Sequence, residues 1–122
     1  MNYLYMCLLA AVLSLAGTGA ALGHADLASA DPAAGATVKT APTAISITFT
    51  EAVEPKFSSI EVLDAAGTRV DDGKAQTAPG NEKLLSVGLK PLAPGTYKVI
   101  WHATAADDSH KTKGSYEFTV KP

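Results

Sequence analysis

The side chains best suited to chemistry in this sequence are three histidines, two of which could share a metal ion. Asp108 and His110 stand two residues apart. In an extended segment, side chains at this spacing project to the same side, so a carboxylate and an imidazole could close on one ion. His24 would gain a second ligand if the chain were cut after Gly23, because its free α-amine and ring nitrogen Nδ1 can then form a six-membered chelate ring.

These groups together make a set of three nitrogens and one oxygen, which suits the tetragonal geometry of Cu(II). The residues after Gly23 contain neither Cys nor Met, so the soft ligands of a dedicated Cu(I) site are excluded. Alone, a terminal histidine can be accidental, and an Asp-x-His sequence is usually a solvated turn. Taken together, they predict one Cu(II) per chain, bound by His24, Asp108 and His110.

Other polar residues make weaker candidates. His102 directly follows Trp101, which is expected to face the core. Because neighbouring residues of a strand point to opposite sides, we expect His102 on the surface. Glu51 and Glu54 flank the end of another apolar segment, where they are either solvated charges or groups that orient a metal ligand. The sequence has no nucleophile–base constellation, no phosphate-binding loop, and no basic or aromatic cluster for nucleic acid.

The first 23 residues have the pattern of a secretory signal peptide. They carry no charged side chain, run almost continuously apolar from Leu4 to Leu15, and end in small residues. We therefore expect residues 1–23 to be cleaved and residues 24–122 to form one exported domain. The alternative is an uncleaved membrane anchor, since about 20 apolar residues can span a bilayer. The single cysteine, Cys7, lies in this segment, so no disulfide is expected.

The rest of the chain alternates between apolar and polar residues in five segments, as half-buried strands do. Turn-forming residues such as Asp72-Gly73 and Pro94-Gly95 separate the segments, and no helical window is convincing. The pattern predicts an all-β sandwich or barrel. The stretch from Ala30 to Ala44 is expected to be a loop plus the edge of a strand. The inward residues of the five segments are Ile45, Ile47 and Phe49; Ile60 and Val62; Leu85, Val87 and Leu89; Tyr97, Val99 and Trp101; and Tyr116, Phe118 and Val120.

With these residues in view, the chain resembles the CopC-type periplasmic copper-binding proteins of copper resistance and homeostasis. Four blocks carry the resemblance: His24–Leu27, Ile47–Phe57, Pro94–Tyr97 and Asp108–Gly114. It implies an Ig-like Greek-key β-sandwich of about seven strands with Cu(II) at the mature N-terminus. The family's metal ligands correspond to His24, Asp108 and His110, and its proposed supporting glutamate corresponds to Glu51.

The chain departs from the family pattern in two places. The interval from Trp101 to Asp108 is one residue longer than usual, which puts Asp107 at the usual distance. Because the block from Asp108 to Gly114 aligns intact, Asp108 is the expected ligand, Asp107 is the alternative, and a bulge or longer turn is expected near Ala105–Asp107. The methionine-rich loop that some relatives use for Cu(I) is missing.

The leading hypothesis is therefore a non-enzymatic, monomeric Cu(II) carrier or buffer in the periplasm, with an inner-membrane CopD-like protein as its candidate partner. One alternative is a mono-copper oxidase or monooxygenase, since a terminal His chelate also occurs in copper oxygenases. Such an enzyme would need exposed aromatic side chains to bind its substrate, whereas the aromatic residues of this chain are expected to face the core. The other alternative is a metal-free Ig-like adhesion or assembly module, in which the histidines are incidental.

Overall fold

The structure, a computed structural model, describes residues 25–122 as an all-β fold. The strands are β1 (Leu27–Asp31), β2 (Thr37–Val38), β3 (Ala44–Phe49), β4 (Ser59–Leu63), β5 (Gln76–Ala78), β6 (Asn81–Gly88), β7 (Gly95–Thr104) and β8 (Lys111–Val120). They form two four-stranded sheets, with the order β1-β3-β6-β5 in one and β2-β8-β7-β4 in the other. A short 3-10 turn, Pro55–Phe57, lies between β3 and β4. Within residues 25–122, no helix is long and apolar enough to cross a membrane.

This strand order is that of an immunoglobulin-like Greek-key sandwich, as expected. There are eight strands rather than about seven because β1 pairs with β3 in one sheet, whereas the two-residue β2 pairs in parallel with β8 in the other. The first strand of the sandwich is thus divided between its two sheets. The hydroxyl of Tyr97, near the start of β7, donates to the carbonyl of Ala93, which is the tyrosine corner typical of such folds.

The five alternating segments are strands β3, β4, β6, β7 and β8, so those predictions are confirmed. Strands β1, β2 and β5 were not predicted. Both β1 and β5 are edge strands with few buried side chains, so their sequences lack clear alternation. The stretch from Ala30 to Ala44, expected to be a loop plus the edge of a strand, contains the end of β1, all of β2 and the first residue of β3.

The two sheets enclose an aromatic and aliphatic core that fixes strand β8, which begins just after His110. Phe49 and Trp101 meet edge to face with ring centroids 5.2 Å apart, and Tyr97 stacks on Phe118 at 5.5 Å. Gly114 lies against the indole: a Cβ at this position would be 2.6 Å from Cζ2 of Trp101. Any side chain there would have to displace the ring. The glycine therefore allows β8 to run this close to Trp101.

A buried carboxylate ties the loop after β4 to the sandwich. Both Asp71 oxygens accept from Nε of Arg69, at 2.9 and 3.0 Å, and they also accept from the amides of Val62 at 2.8 Å and Gly73 at 2.9 Å. Burial alone raises the pKa of Asp71, but the hydrogen bonds from Arg69 and Val62 and the arginine charge outweigh it. The pKa of Asp71 is therefore lower than usual, and the group is held as a carboxylate.

Candidate metal centre

The Asp108-Ser109-His110 sequence forms the second half of the connection between β7 and β8, which spans residues 105–110. Oδ1 of Asp108 accepts a hydrogen bond from the amide of His110 at 2.9 Å. Ser109 between them has a φ of 62°, in the left-handed region. Asp108 and His110 are therefore joined by a turn and do not lie in the extended segment that was expected. The turn is closed by the aspartate itself, which brings its carboxylate to the backbone of His110.

The additional residue between Trp101 and Asp108 lies in this turn and not in a bulge. The β7–β8 ladder keeps one register from Gly95 opposite Val120 to Thr104 opposite Lys111. Beyond it, the amide of Ala105 still donates to the carbonyl of His110 at 2.9 Å. Asp107 and Asp108 are both exposed in the turn that follows. A longer turn is thus the correct one of the two expected arrangements.

The segment that begins at Ala25 is fastened beside this turn. Ala25 is fully buried, and its carbonyl accepts a hydrogen bond from Oγ1 of Thr112 at 2.6 Å. Asp26 exchanges two hydrogen bonds with Thr50: its amide donates to the hydroxyl at 3.0 Å, and its carbonyl accepts from the amide at 2.8 Å. Since Thr112 lies in β8 and Thr50 directly follows β3, the segment is attached to both sheets.

The residues after β3 connect this anchored segment to the Asp108–His110 turn. The carbonyl of Ala52 accepts from the amide of Ala106 at 2.9 Å, and Val53 forms an isolated antiparallel bridge with Ala105. Glu51, which is partly buried, stands between Thr50 and Ala52 and hence between these two sets of contacts. This position is consistent with Glu51 orienting a metal ligand, a role that stays a prediction.

Glu54, the other glutamate considered, supports the backbone. Its Oε2 accepts from the amide of Lys56 at 3.0 Å and so caps the 3-10 turn. The buried Ser58, which had no expected role, bridges this turn to β7: its hydroxyl donates to the Glu54 carbonyl at 2.7 Å and accepts from the Thr104 amide at 3.0 Å. These contacts hold the end of β7, from which the Asp108–His110 turn departs.

The sequence reasoning missed Thr50 and Thr112, the hydroxyl residues that anchor residues 25 and 26. The sequence did contain a sign of the role of Thr112, because this residue lies on the same, core-facing side of β8 as Tyr116 and Phe118. A polar residue on an inward phase needs a hydrogen-bond partner. His102 lies where it was expected, exposed on the outer face of β7 opposite Ser59 and Lys113.

The structure thus brings together Asp108, His110 and the neighbourhood of Glu51 at one end of the sandwich. His24, the remaining expected ligand, and the signal segment 1–23 lie outside the described residues. Within residues 25–122, no three His, Cys, Asp or Glu side chains form a group that could hold a metal. Asp108 and His110 offer one oxygen and one nitrogen ligand, so further ligands are required for a tight site.

The fold and the residues at one end of it define a class of protein: a small immunoglobulin-like sandwich with an imidazole and carboxylates exposed at one end. A family model described as the CopC domain matches residues 27–121. The chain therefore belongs to the CopC family, whose members are copper-binding resistance proteins and not enzymes. The family accordingly favours neither the mono-copper oxidase nor the metal-free module.

Three similar proteins illustrate the relationship. Protein YobA of Escherichia coli strain K12 is 41% identical over 99 residues, which cover 80% of this chain and 79% of YobA. The crystal structure of CopC from Methylosinus trichosporium OB3b matches with a TM-score of 0.76 and 34% identity, covering 81% of this chain and 95% of that chain. PcoC from Escherichia coli, described as a methionine-rich copper resistance protein, matches with a TM-score of 0.68 and 34% identity, covering 81% of this chain and 100% of PcoC.

Proposed function

We propose that this chain is a periplasmic Cu(II)-binding protein of copper homeostasis and resistance. It holds one Cu(II) with the α-amine and imidazole of His24, the carboxylate of Asp108 and the imidazole of His110, with Glu51 orienting a ligand. The observation that carries the proposal is the 2.6 Å hydrogen bond from Thr112 to the carbonyl of Ala25. It attaches the residue bonded to His24 to the strand that begins beside His110.

The spacing along the chain supports a shared site. Cα atoms of bonded residues are about 3.8 Å apart, so His24 cannot be far from the Ala25 anchor. Residues two apart along a strand are about 7 Å apart, which is the scale of the separation between Thr112 and His110. Both separations lie within the reach of imidazole side chains that converge on one ion.

The available ligands favour Cu(II) over Cu(I). Residues 24–122 contain no Cys and no Met, because the only cysteine is Cys7 and the two methionines are Met1 and Met6. Amine, imidazole and carboxylate groups suit tetragonal Cu(II), whereas a dedicated Cu(I) site needs soft sulfur ligands. In this respect the chain contrasts with PcoC, whose description as methionine-rich implies abundant thioether groups. We therefore infer a member specialised for Cu(II).

The proposal requires export and cleavage. Removal of residues 1–23 in the periplasm frees the α-amine of His24, and an amide nitrogen in its place is a poor ligand. The processed protein works as a monomer that buffers Cu(II) and passes it to an inner-membrane CopD-like protein. The exposed position of the Asp108–His110 turn leaves the metal accessible for such a transfer.

The experiment compares Cu(II) affinity in four forms of the processed protein: native terminus, one extra Gly before His24, His110→Ala and His102→Ala. We expect the Gly extension and His110→Ala to weaken binding to similar degrees, by about tenfold or more, because each removes one ligand. His102→Ala is the matched control and should bind as the native form does. Intact mass of the exported protein checks that it starts at His24. Native-like affinity in the Gly-extended form would overturn the proposed ligand set.

A further inference from the structure

The outer face of sheet β2-β8-β7-β4 carries a concentration of lysines that the proposed metal site does not use. Lys98 on β7 and Lys111 and Lys113 on β8 all lie on this exposed side. Lys113 is directly opposite His102, and Lys111 is two residues from Lys113 on the same strand. We refer to these three lysines with His102 as the lysine face.

The lysine face surrounds a groove. A depression of about 330 Å³ lies between β7 and β8, lined by Lys98, Ile100, His102, Lys113, Gly114 and Ser115. Ile100 and Ser115 are opposite each other in the ladder, and the long side chains of neighbouring rows stand on either side of this shorter pair. A second depression, of about 360 Å³, extends past His102 and Lys113 to Lys111 and Thr112. The depression therefore has a partly apolar floor, with Lys98 on one side and His102 and Lys113 on the other.

Within residues 25–122, the lysines of this face form no salt bridge within 4.0 Å. Arg69 does form such contacts, with Glu61 and Asp71. Two acidic residues share the face: Glu117, opposite Lys98, and Glu61 on β4, 3.6 Å from Arg69. Neither is paired in the ladder with Lys111 or Lys113. The surface is thus locally basic in a chain whose net charge is −2.

Lys111 and Lys113 carry like charges about 7 Å apart on one face of the sheet, so they repel each other. An anionic partner would relieve this repulsion. The strand also sets a spacing: residues two apart in β8 project their side chains on the same side, about 7 Å apart. Alternate residues of any extended chain have the same spacing.

We propose that the lysine face binds an extended acidic segment of a partner protein, laid along β8 with alternate carboxylates opposite Lys111 and Lys113. The spacing of about 7 Å between Lys111 and Lys113 matches that of alternate side chains in an extended segment, whereas a membrane surface sets no such spacing. Lys111 directly follows His110, so the bound segment lies beside the proposed metal centre. The proposal does not depend on metal binding, because it rests on the outer face alone.

The experiment uses the processed protein without metal and a fluorescein-labelled octapeptide of alternating Glu and Ser. Fluorescence anisotropy at low salt should show binding that weakens steeply as salt is added, because the contacts are ionic. The double variant Lys111→Glu/Lys113→Glu should reduce affinity by about tenfold or more, since attraction becomes repulsion. The matched control is Lys74→Glu/Lys83→Glu, which makes the same change in net charge at two exposed lysines elsewhere.

Two further measurements make the outcome decisive. Circular dichroism of both double variants should match the parent, which these exposed positions favour. Vesicles containing phosphatidylglycerol should bind less well than the peptide. The proposal is overturned if the two double variants weaken peptide binding equally, if neither does, or if the vesicles bind and the peptide does not.

Discussion

Two aspartates at opposite ends of the burial scale close turns in this molecule, and they use their carboxylates differently. Asp71 has a side chain with 0% exposure, and Arg69, Val62 and Gly73 donate to its two oxygens. Asp108 is exposed, and a single amide, that of His110, donates to its Oδ1. A carboxylate surrounded by donors stabilises the fold, whereas one that is only partly engaged and exposed to solvent can still accept a cation. Burial and donor count thus separate a structural aspartate from a candidate ligand.

The largest effect should come from Asp71→Asn. The substitution removes the charge that holds Arg69 and replaces one acceptor oxygen with an amide that must face a donor. Asp71 is buried but Arg69 is half exposed, so the loss of the charge-assisted hydrogen bonds should reduce the free energy of unfolding by about 2 kcal/mol. Urea unfolding of the metal-free protein measures it, with Asp72→Asn, at an exposed neighbouring position, as the control. A loss as small as that of the control would contradict the structural role of Asp71.

The same comparison predicts a dependence on pH. Because the pKa of Asp71 is lower in the folded than in the unfolded protein, the unfolded state binds its proton first as the pH falls. The stabilisation is therefore complete above the unfolded value of about 3.9 and is lost as the pH falls through the lower folded value. The difference in unfolding free energy between the parent and Asp71→Asn should be constant from about pH 7 to 5 and shrink below about pH 4. A difference that is unchanged at pH 3 would argue against this linkage.

The smallest effect on stability should come from Asp108→Asn. The amide oxygen of Asn can still accept from the His110 amide, so the turn should survive with a loss of about 0.5 kcal/mol or less. Affinity for Cu(II) should fall about tenfold or more, because the anionic ligand is gone. Asp107→Asn is the paired control for the neighbouring carboxylate. If Asp107→Asn weakens copper binding and Asp108→Asn does not, the two aspartates have been assigned in the wrong order.

The sequence could predict the strands that carry the core, but not the contacts that complete the candidate site. Alternation identified β3 and β7 because a half-buried strand must place an apolar residue at every second position. No local pattern shows that the Thr112 hydroxyl reaches Ala25, since this pair is 87 residues apart and depends on how the sheets pack. The left-handed Ser109 was equally hidden, because its conformation depends on the turn that Asp108 closes.

The double attachment of residues 25 and 26 has a consequence for conformational entropy. Holding a residue in one backbone conformation costs about 1–2 kcal/mol, and a flexible terminus would meet that cost each time it bound a ligand. Here the entropy of ordering Ala25 and Asp26 is lost once, during folding, through hydrogen bonds to Thr112 in one sheet and to Thr50 at the end of β3 in the other. A ligand that binds next to this segment finds its backbone already ordered.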